Sequence, residues 1–177
     1  MAQKNRRLTY TALMTAMVTV LTLIVRFPTP ATGGYIHLGD IAVLGAPFLL
    51  GPLCGMLAAG VGTALADLLT GCFYYIPGSL LIKSLTALTA WGVFSLLTAK
   101  TPRRLALKRT AGCLAGETVM TAGYFGYAAV LLGKGWAAIA TLPANILQGL
   151  VGTAGSVILL EILRKNGVLQ KIAADMK

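Results

Sequence analysis

The stretch Gly33–Asp40 (GGYIHLGD) concentrates polar groups between two strongly apolar segments. It contains Tyr35, the only histidine of the chain, His37, and one of the five acidic residues, Asp40. Ionisable residues at the edge of, or inside, apolar membrane segments are energetically costly and usually face a cavity or a partner. We therefore interpret this stretch as one wall of a small-molecule pocket that opens to the outside.

Other polar side chains are expected at the same depth in neighbouring helices. Asp67 lies near the outer end of the third predicted helix, and Lys83 lies about 9 Å below the outer end of the fourth. Tyr124 lies in the outer half of the fifth. Asn145 and Gln148 are one turn apart in the sixth, so they share a face. The pattern predicts a ligand pocket on the extracellular side.

Structural roles for the same residues stay open at this point. Asp40 could cap the second helix by accepting backbone N–H bonds, and His37 could be a loop or capping residue. Lys83 could pair with an aspartate or extend its charged end towards water. The two amides of the sixth helix could instead join helices to one another.

Glu117 differs from the other candidates because it lies about two turns inside the inner end of the fifth helix. Thr121 and Tyr124 follow it on the same helix face. It is either the floor of the pocket or a buried structural partner.

Apolar runs of about 17–25 residues, the length that a bilayer-crossing helix needs, recur along the chain. They predict an all-α membrane protein, a single domain over residues 1–177 folded as a compact bundle of six transmembrane helices. The connections 26–34 and 100–109 are expected to be loops, and a kink is expected near Pro143. Helices 2 and 3 are short, so a re-entrant pair is an alternative. The predicted helices are roughly Leu8–Val25, Ile36–Leu50, Met56–Leu69, Ser79–Thr98, Thr110–Leu132 and Ala137–Leu163.

The composition agrees with a membrane location. The chain has 177 residues, of which 56% are hydrophobic and only 11% are charged, and its formal net charge is +10. Twelve of the fifteen lysines and arginines fall on one side of the six predicted crossings. This bias predicts that both termini face the cytoplasm. The positive charge is thus a topology signal, and we expect membrane lipid but no nucleic acid as a partner.

Motifs of catalysis and nucleotide hydrolysis are missing from the sequence. It has no GxxxxGK[ST], no HExxH and no GxSxG. Its three cysteines form no CxxC and have no neighbouring histidine, so no metal site is predicted. We expect a protein that is not an enzyme and holds no cofactor.

Small residues recur at one-turn spacing and predict close helix packing. Gly112 and Gly116 have this spacing, as do Ala12 and Ala16 on the first helix. Inside a bundle such pairs bring two helices together. On an outer helix the pair could instead bind another membrane protein.

The chain resembles the S components, the substrate-capturing subunits, of energy-coupling factor (ECF) vitamin transporters. The resemblance covers nearly the whole chain and includes the alanine pair Ala12 and Ala16. It is carried further by GYIHLGD, ADLLTG, Ile82–Lys83, AGYF and PANILQG. These motifs are similar to a branch that includes riboflavin-type, hydroxymethylpyrimidine and pyridoxine-like S components.

The resemblance implies that the chain binds a water-soluble vitamin or precursor from outside. A transmembrane coupling subunit and two cytoplasmic ATPases would be its partners, and ATP hydrolysis would occur only there. Ala12 and Ala16 would then belong to the docking face. The implied ligand contacts are Tyr35, His37, Asp40, Lys83, Tyr124, Asn145 and Gln148, to which the depth argument adds Asp67 and Glu117.

Two other function classes compete with this interpretation. A stand-alone secondary transporter or channel would move its substrate without an ATPase partner. A membrane enzyme or an assembly scaffold would either turn over a ligand or bind a partner with no small molecule.

Overall fold

The protein is nearly all helical, and its computed structural model describes residues 2–29 and 34–176. This part of the chain contains seven α-helices and one antiparallel hairpin of two strands, β1 and β2. Short helices of other types lie at Phe73–Tyr75 (3-10), Tyr127–Leu131 (π) and Gly135–Thr141 (3-10). The α-helices are α1 (Ala2–Ile24), α2 (Asp40–Leu50), α3 (Pro52–Leu69), α4 (Ile76–Leu96), α5 (Pro102–Gly126), α6 (Leu142–Lys165) and α7 (Val168–Asp175).

The predicted start of helix 2 at Ile36 is wrong, and so is the predicted loop at residues 26–29 and 34; residues 30–33 of that loop lie outside the described part of the chain. Strand β1 (Arg26–Thr29) pairs with strand β2 (Gly34–His37), and α2 begins only at Asp40. Prolines and glycines are typical of loops, but proline is also tolerated at the edge of a sheet. Ile36 and Leu38 extend the apolar residues of the following helix towards the N-terminus, and this hides the change from strand to helix.

Prolines lie in the first turn of four helices, α3 to α6, and the observed starts of these helices correct the predicted ones. Pro52 starts α3 directly after Gly51, whose φ of +80° allows the sharp joint to α2. Pro102 starts α5, where the Thr101 side chain accepts the Arg104 N–H at 3.3 Å, so most of the basic run is helical. Pro143 lies in the first turn of α6, where its missing N–H has no partner to lose. The helix predicted from Ala137 is a 3-10 segment as far as Thr141 and α-helical from Leu142, and the kink near Pro143 stays a prediction.

Four segments of the described chain are long and apolar enough to cross a membrane. They are Gln3–Ile24, Pro52–Leu69, Phe73–Leu96 and Gly135–Lys165, while α2 is apolar but shorter. Helix α5 is outside this set, and it carries the basic residues of its first turns and Glu117. The coarse class, a nearly all-helical chain with membrane-length helices, is thus confirmed, and the count of six crossings stays a prediction.

Helices α4 and α5 touch through backbone, as the spacing of Gly112 and Gly116 predicts. A Cβ atom on Gly112 would lie 2.4 Å from the carbonyl oxygen of Ala90, and one on Gly116 would lie 2.7 Å from that of Thr86. No side chain fits in these gaps. The contact holds the polar middle of α5 directly beside α4.

The C-terminal helix closes the end of the bundle where α1 begins. Ile172 and Met176 pack against a buried apolar cluster supplied by α1 to α4. Asp175 accepts a hydrogen bond from Arg6 at 3.0 Å and another from the Tyr10 hydroxyl at 2.7 Å. The two ends of the chain are therefore joined.

We expect Gly116→Ala to lower the free energy of unfolding by about 1–3 kcal/mol, because the new methyl group must push α5 away from the Thr86 carbonyl. The control is Gly92→Ala, since a Cβ at Gly92 meets nothing within 4 Å. That control should be neutral or stabilising by up to about 1 kcal/mol. Thermal unfolding in detergent micelles measures both, and equal midpoints for the two variants would contradict the packing described.

Candidate functional site

A fully buried ion pair lies at the centre of the site. The Lys83 Nζ, two turns into α4, donates to Oδ1 of Asp40, the first residue of α2, and neither side chain is exposed to solvent. The other carboxylate oxygen, Oδ2, accepts from Gln148 Nε2 of α6 at 2.6 Å. Asp40 does not cap its helix, because both of its oxygens are used by these two side chains. One carboxylate thus joins three helices.

The end of strand β2 is part of the same network. The backbone N–H of His37 donates to Gln148 Oε1 at 3.0 Å, so this amide group bonds on both of its sides. The His37 ring is buried, and its Nδ1 accepts the Gly39 N–H at 3.0 Å. The His37 side chain thus bonds within the loop before α2, and its backbone joins the network around Asp40; its contact with a ligand stays a prediction.

The imidazole of His37 is neutral at physiological pH. Burial lowers its pKa to about 4; the positive charges of Lys83 and Arg26 act in the same direction, while Asp40 opposes them. Because Nδ1 accepts a hydrogen bond, the proton of the neutral ring is on Nε2. The charge of the ion pair is therefore balanced without the histidine.

Tyr124 extends the site towards an aromatic cluster. Its hydroxyl is 2.8 Å from the Ser79 hydroxyl, and its ring centroid is 5.5 Å from the Lys83 Nζ, a cation–π distance. The Tyr75 ring meets it edge-on with centroids 6.3 Å apart. Sequence reasoning missed Ser79, although it lies one turn before Lys83 on the same face of α4.

Glu117 is buried beside this network, in the wall of a groove between α5 and α6. The groove has a volume of about 490 Å³, and its other walls are mainly apolar. A Cβ atom on Gly152 of α6 would lie 2.7 Å from Asp40 Cβ and 3.4 Å from Glu117 Oε1. The two acids therefore flank the same glycine.

None of the other predicted residues whose side chains the structure describes forms a hydrogen bond with Asp40 or Lys83. Asn145 is half-buried one turn before Gln148 and forms no hydrogen bond with another described residue. Asp67 is buried near the end of α3, but the ion pair of Lys83 is with Asp40. The side chain of Tyr35 lies outside the described part of the structure. Ala12 is exposed on the surface of α1, as is Ala16 one turn later.

This arrangement can bind a polar molecule. It combines charges, amide groups and aromatic rings within a mostly apolar bundle, which is the usual chemistry of a small-molecule site. Within residues 2–29 and 34–176, no group of three or more His, Cys, Asp or Glu side chains is placed to hold a metal ion.

The buried histidine makes stability depend on pH. Between about pH 6.5 and pH 4 the unfolded chain binds a proton at His37 that the folded chain does not, so stability falls as pH falls through this range. The loss should be on the order of 3 kcal/mol. His37→Asn, which keeps an acceptor for the N–H two residues later, should lack this part of the loss. Thermal unfolding between pH 4 and 7 compares the two proteins, and parallel curves would contradict the assignment.

Known proteins resemble this chain over most of its length. Residues 2–165 match the family model described as "ECF-type riboflavin transporter, S component". A Lactococcus lactis subsp. cremoris protein named "Thiamine precursor transporter HmpT" is 31% identical over 175 residues, which are 96% of this chain and 95% of that protein. A Pyrococcus woesei protein described as uncharacterized is 39% identical over 135 residues, 76% of this chain and 86% of the relative.

A solved structure shows the same fold. It is described as "Structure and mechanism of the S component of a bacterial ECF transporter" and superimposes with a TM-score of 0.69. The match covers 92% of this chain and 97% of that chain at 22% identity. The fold and the family model agree, and the chain belongs to the family of ECF-type riboflavin transporter S components.

Proposed function

We propose that this S component captures a small heterocyclic vitamin or vitamin precursor at the site around Asp40, Lys83 and Gln148. The observation that carries the proposal is the fully buried ion pair, because burying two charges costs several kcal/mol per ion and is seldom retained for stability alone. The flat rings beside Lys83 favour a planar ligand held by stacking and a few polar contacts. A hydroxymethylpyrimidine or pyridoxine-like compound fits this description, as does the larger riboflavin.

The relatives support this class of ligand. The family model is named for riboflavin, and the Lactococcus lactis relative is named for a thiamine precursor. Both names describe water-soluble vitamin chemistry, and neither implies catalysis by the S component itself. We infer uptake without chemical change of the ligand.

The proposed orientation places both termini in the cytoplasm and the ligand site towards the outside of the bacterial cytoplasmic membrane, with six crossings. The positive-inside bias of the lysines and arginines supports it. Helix α2 has 11 residues, fewer than the roughly 20 that a full crossing needs. It is joined to α3 by Gly51 alone, so the two helices cross as a connected pair or re-enter together.

The proposed partners are a transmembrane coupling subunit and two cytoplasmic ATPases, which would supply the energy of ATP hydrolysis. Small exposed residues let a second helix approach closely, and α1 exposes Ala12 and Ala16 one turn apart. We assign the docking of the coupling subunit to this face of α1.

Replacement of the ion pair tests the ligand site. Lys83→Met combined with Asp40→Asn removes both charges together, so no buried charge is left unpaired and the fold should survive. Affinity for the co-purifying ligand, identified by mass spectrometry and measured by calorimetry, should fall about tenfold or more. The matched control is Arg6→Met with Asp175→Asn, which removes an exposed ion pair in the same way. Unchanged affinity in the Lys83 variant would refute the proposed site.

A bulky substitution tests the docking face. Ala16→Trp should leave ligand affinity unchanged but abolish uptake into vesicles that contain the coupling module, because the indole prevents close helix approach. Leu85→Trp is the control, since Leu85 is exposed on α4. Normal uptake by the Ala16 variant, or an equal loss in the Leu85 variant, would contradict the assignment.

A further inference from the structure

The carboxylate of Glu117 is buried without a hydrogen-bond donor from the described residues. Only 5% of this residue is exposed, and neither Oε1 nor Oε2 has a hydrogen-bond partner there. By contrast, Asp40 accepts from two side chains, and Glu161 accepts from two arginines. A buried acceptor with no donor is costly, and more so when it is charged. The side chain is therefore retained at this place in spite of its cost to the fold.

The neighbouring helix leaves room for this carboxylate. A Cβ atom on Gly149 would lie 3.0 Å from Oε2, and one on Gly152 would lie 3.4 Å from Oε1. Glycine at both positions of α6 admits the carboxyl group between the helices. Glu117 lines the groove of about 490 Å³, and that volume is within the range of small-molecule sites.

The charged side chains near Glu117 are paired with other residues, and none of them donates a hydrogen bond to it. Lys83 is paired with Asp40, whose second oxygen is bonded to Gln148. His37 carries no charge at neutral pH, because burial lowers its pKa to about 4. No lysine or arginine of the described chain forms an ion pair with Glu117. The described residues therefore supply neither a cation nor a hydrogen-bond donor to the Glu117 carboxyl group.

We propose that Glu117 binds the amine-bearing edge of the ligand, a ring nitrogen next to an exocyclic amine as in a 4-aminopyrimidine. This inference rests on the proposed function. The two nitrogen atoms of such an edge face the two oxygens of one carboxyl group. A single proton lies on either the carboxyl group or the ring nitrogen. Either the carboxylic acid donates to the ring nitrogen and its carbonyl oxygen accepts from the amine, or the protonated ring and the amine both donate to the carboxylate. Two hydrogen bonds form in each case.

The same geometry disfavours the other ligand types. A pyridoxine-like ring carries hydroxyl groups but no amine beside its ring nitrogen. The imide edge of a flavin presents one N–H between two carbonyl oxygens, so a carboxylate would face two further acceptors. The remaining groove walls include Leu114, Phe125, Leu142 and Ile146, and these suit the apolar faces of a small ring.

Paired ligands test the inference on the full-length protein in detergent. The probes are 4-amino-5-hydroxymethyl-2-methylpyrimidine and the analogue in which methyl replaces the amine, and calorimetry measures both affinities. The wild type should prefer the amine by about tenfold or more, the value of one charge-assisted hydrogen bond. Glu117→Leu should remove this preference, whereas Glu117→Gln, which keeps one donor and one acceptor, should retain part of it.

Thr110→Val is the matched control, because Thr110 lies on α5 outside the groove lining and its hydroxyl donates to the Ala106 carbonyl of its own helix; it should keep the full preference. Equal affinities of the wild type for the two probes, or a preference that survives Glu117→Leu, would overturn the inference. The double variant Lys83→Met with Asp40→Asn distinguishes failure of this inference from failure of the proposed function. If the wild type binds both probes with equal affinity and that variant binds neither, only the role of Glu117 is overturned. A wild type that binds neither probe would overturn the inference and its pyrimidine ligand class together.

Discussion

The ion pair between Asp40 and Lys83 is the interaction on which the rest of the site depends. Neither side chain is reached by water, so each charge is stable only while the other is in place. Gln148 satisfies the second carboxylate oxygen and is itself bonded to the backbone of His37. Helices α2, α4 and α6 and the end of β2 must therefore keep their relative positions, because any displacement would leave a buried charge or amide without its partner.

The two acids that flank Gly152 have different surroundings. Asp40 receives hydrogen bonds from a cation and an amide, whereas Glu117 receives none from the described residues. One acid is therefore part of the framework, and the other is available to a bound molecule.

Depth in the membrane and spacing along each helix are enough to group Asp40, Lys83 and Gln148 from the sequence alone. They do not predict which aspartate Lys83 pairs with, because that choice depends on how α2 and α3 pack, and Asp67 lies at a similar predicted depth. The hairpin escaped prediction because its strands are short and rich in proline and glycine. The start of α5 could have been predicted, because Thr101 followed by a proline is typical of a helix N-terminus. The dense positive charge of this segment favoured a loop instead.

The hairpin also connects α1 to Gln148 of α6, which is far from α1 in the sequence. Only Val25 separates α1 from β1, and Arg26 of β1 pairs with His37 of β2. The His37 amide in turn holds Gln148. A tilt of α1 would thus pull directly on the amide group that bonds to Asp40. If a partner binds the exposed alanine face of α1, its affinity and the ligand affinity become thermodynamically linked, and each must change the other by the same factor.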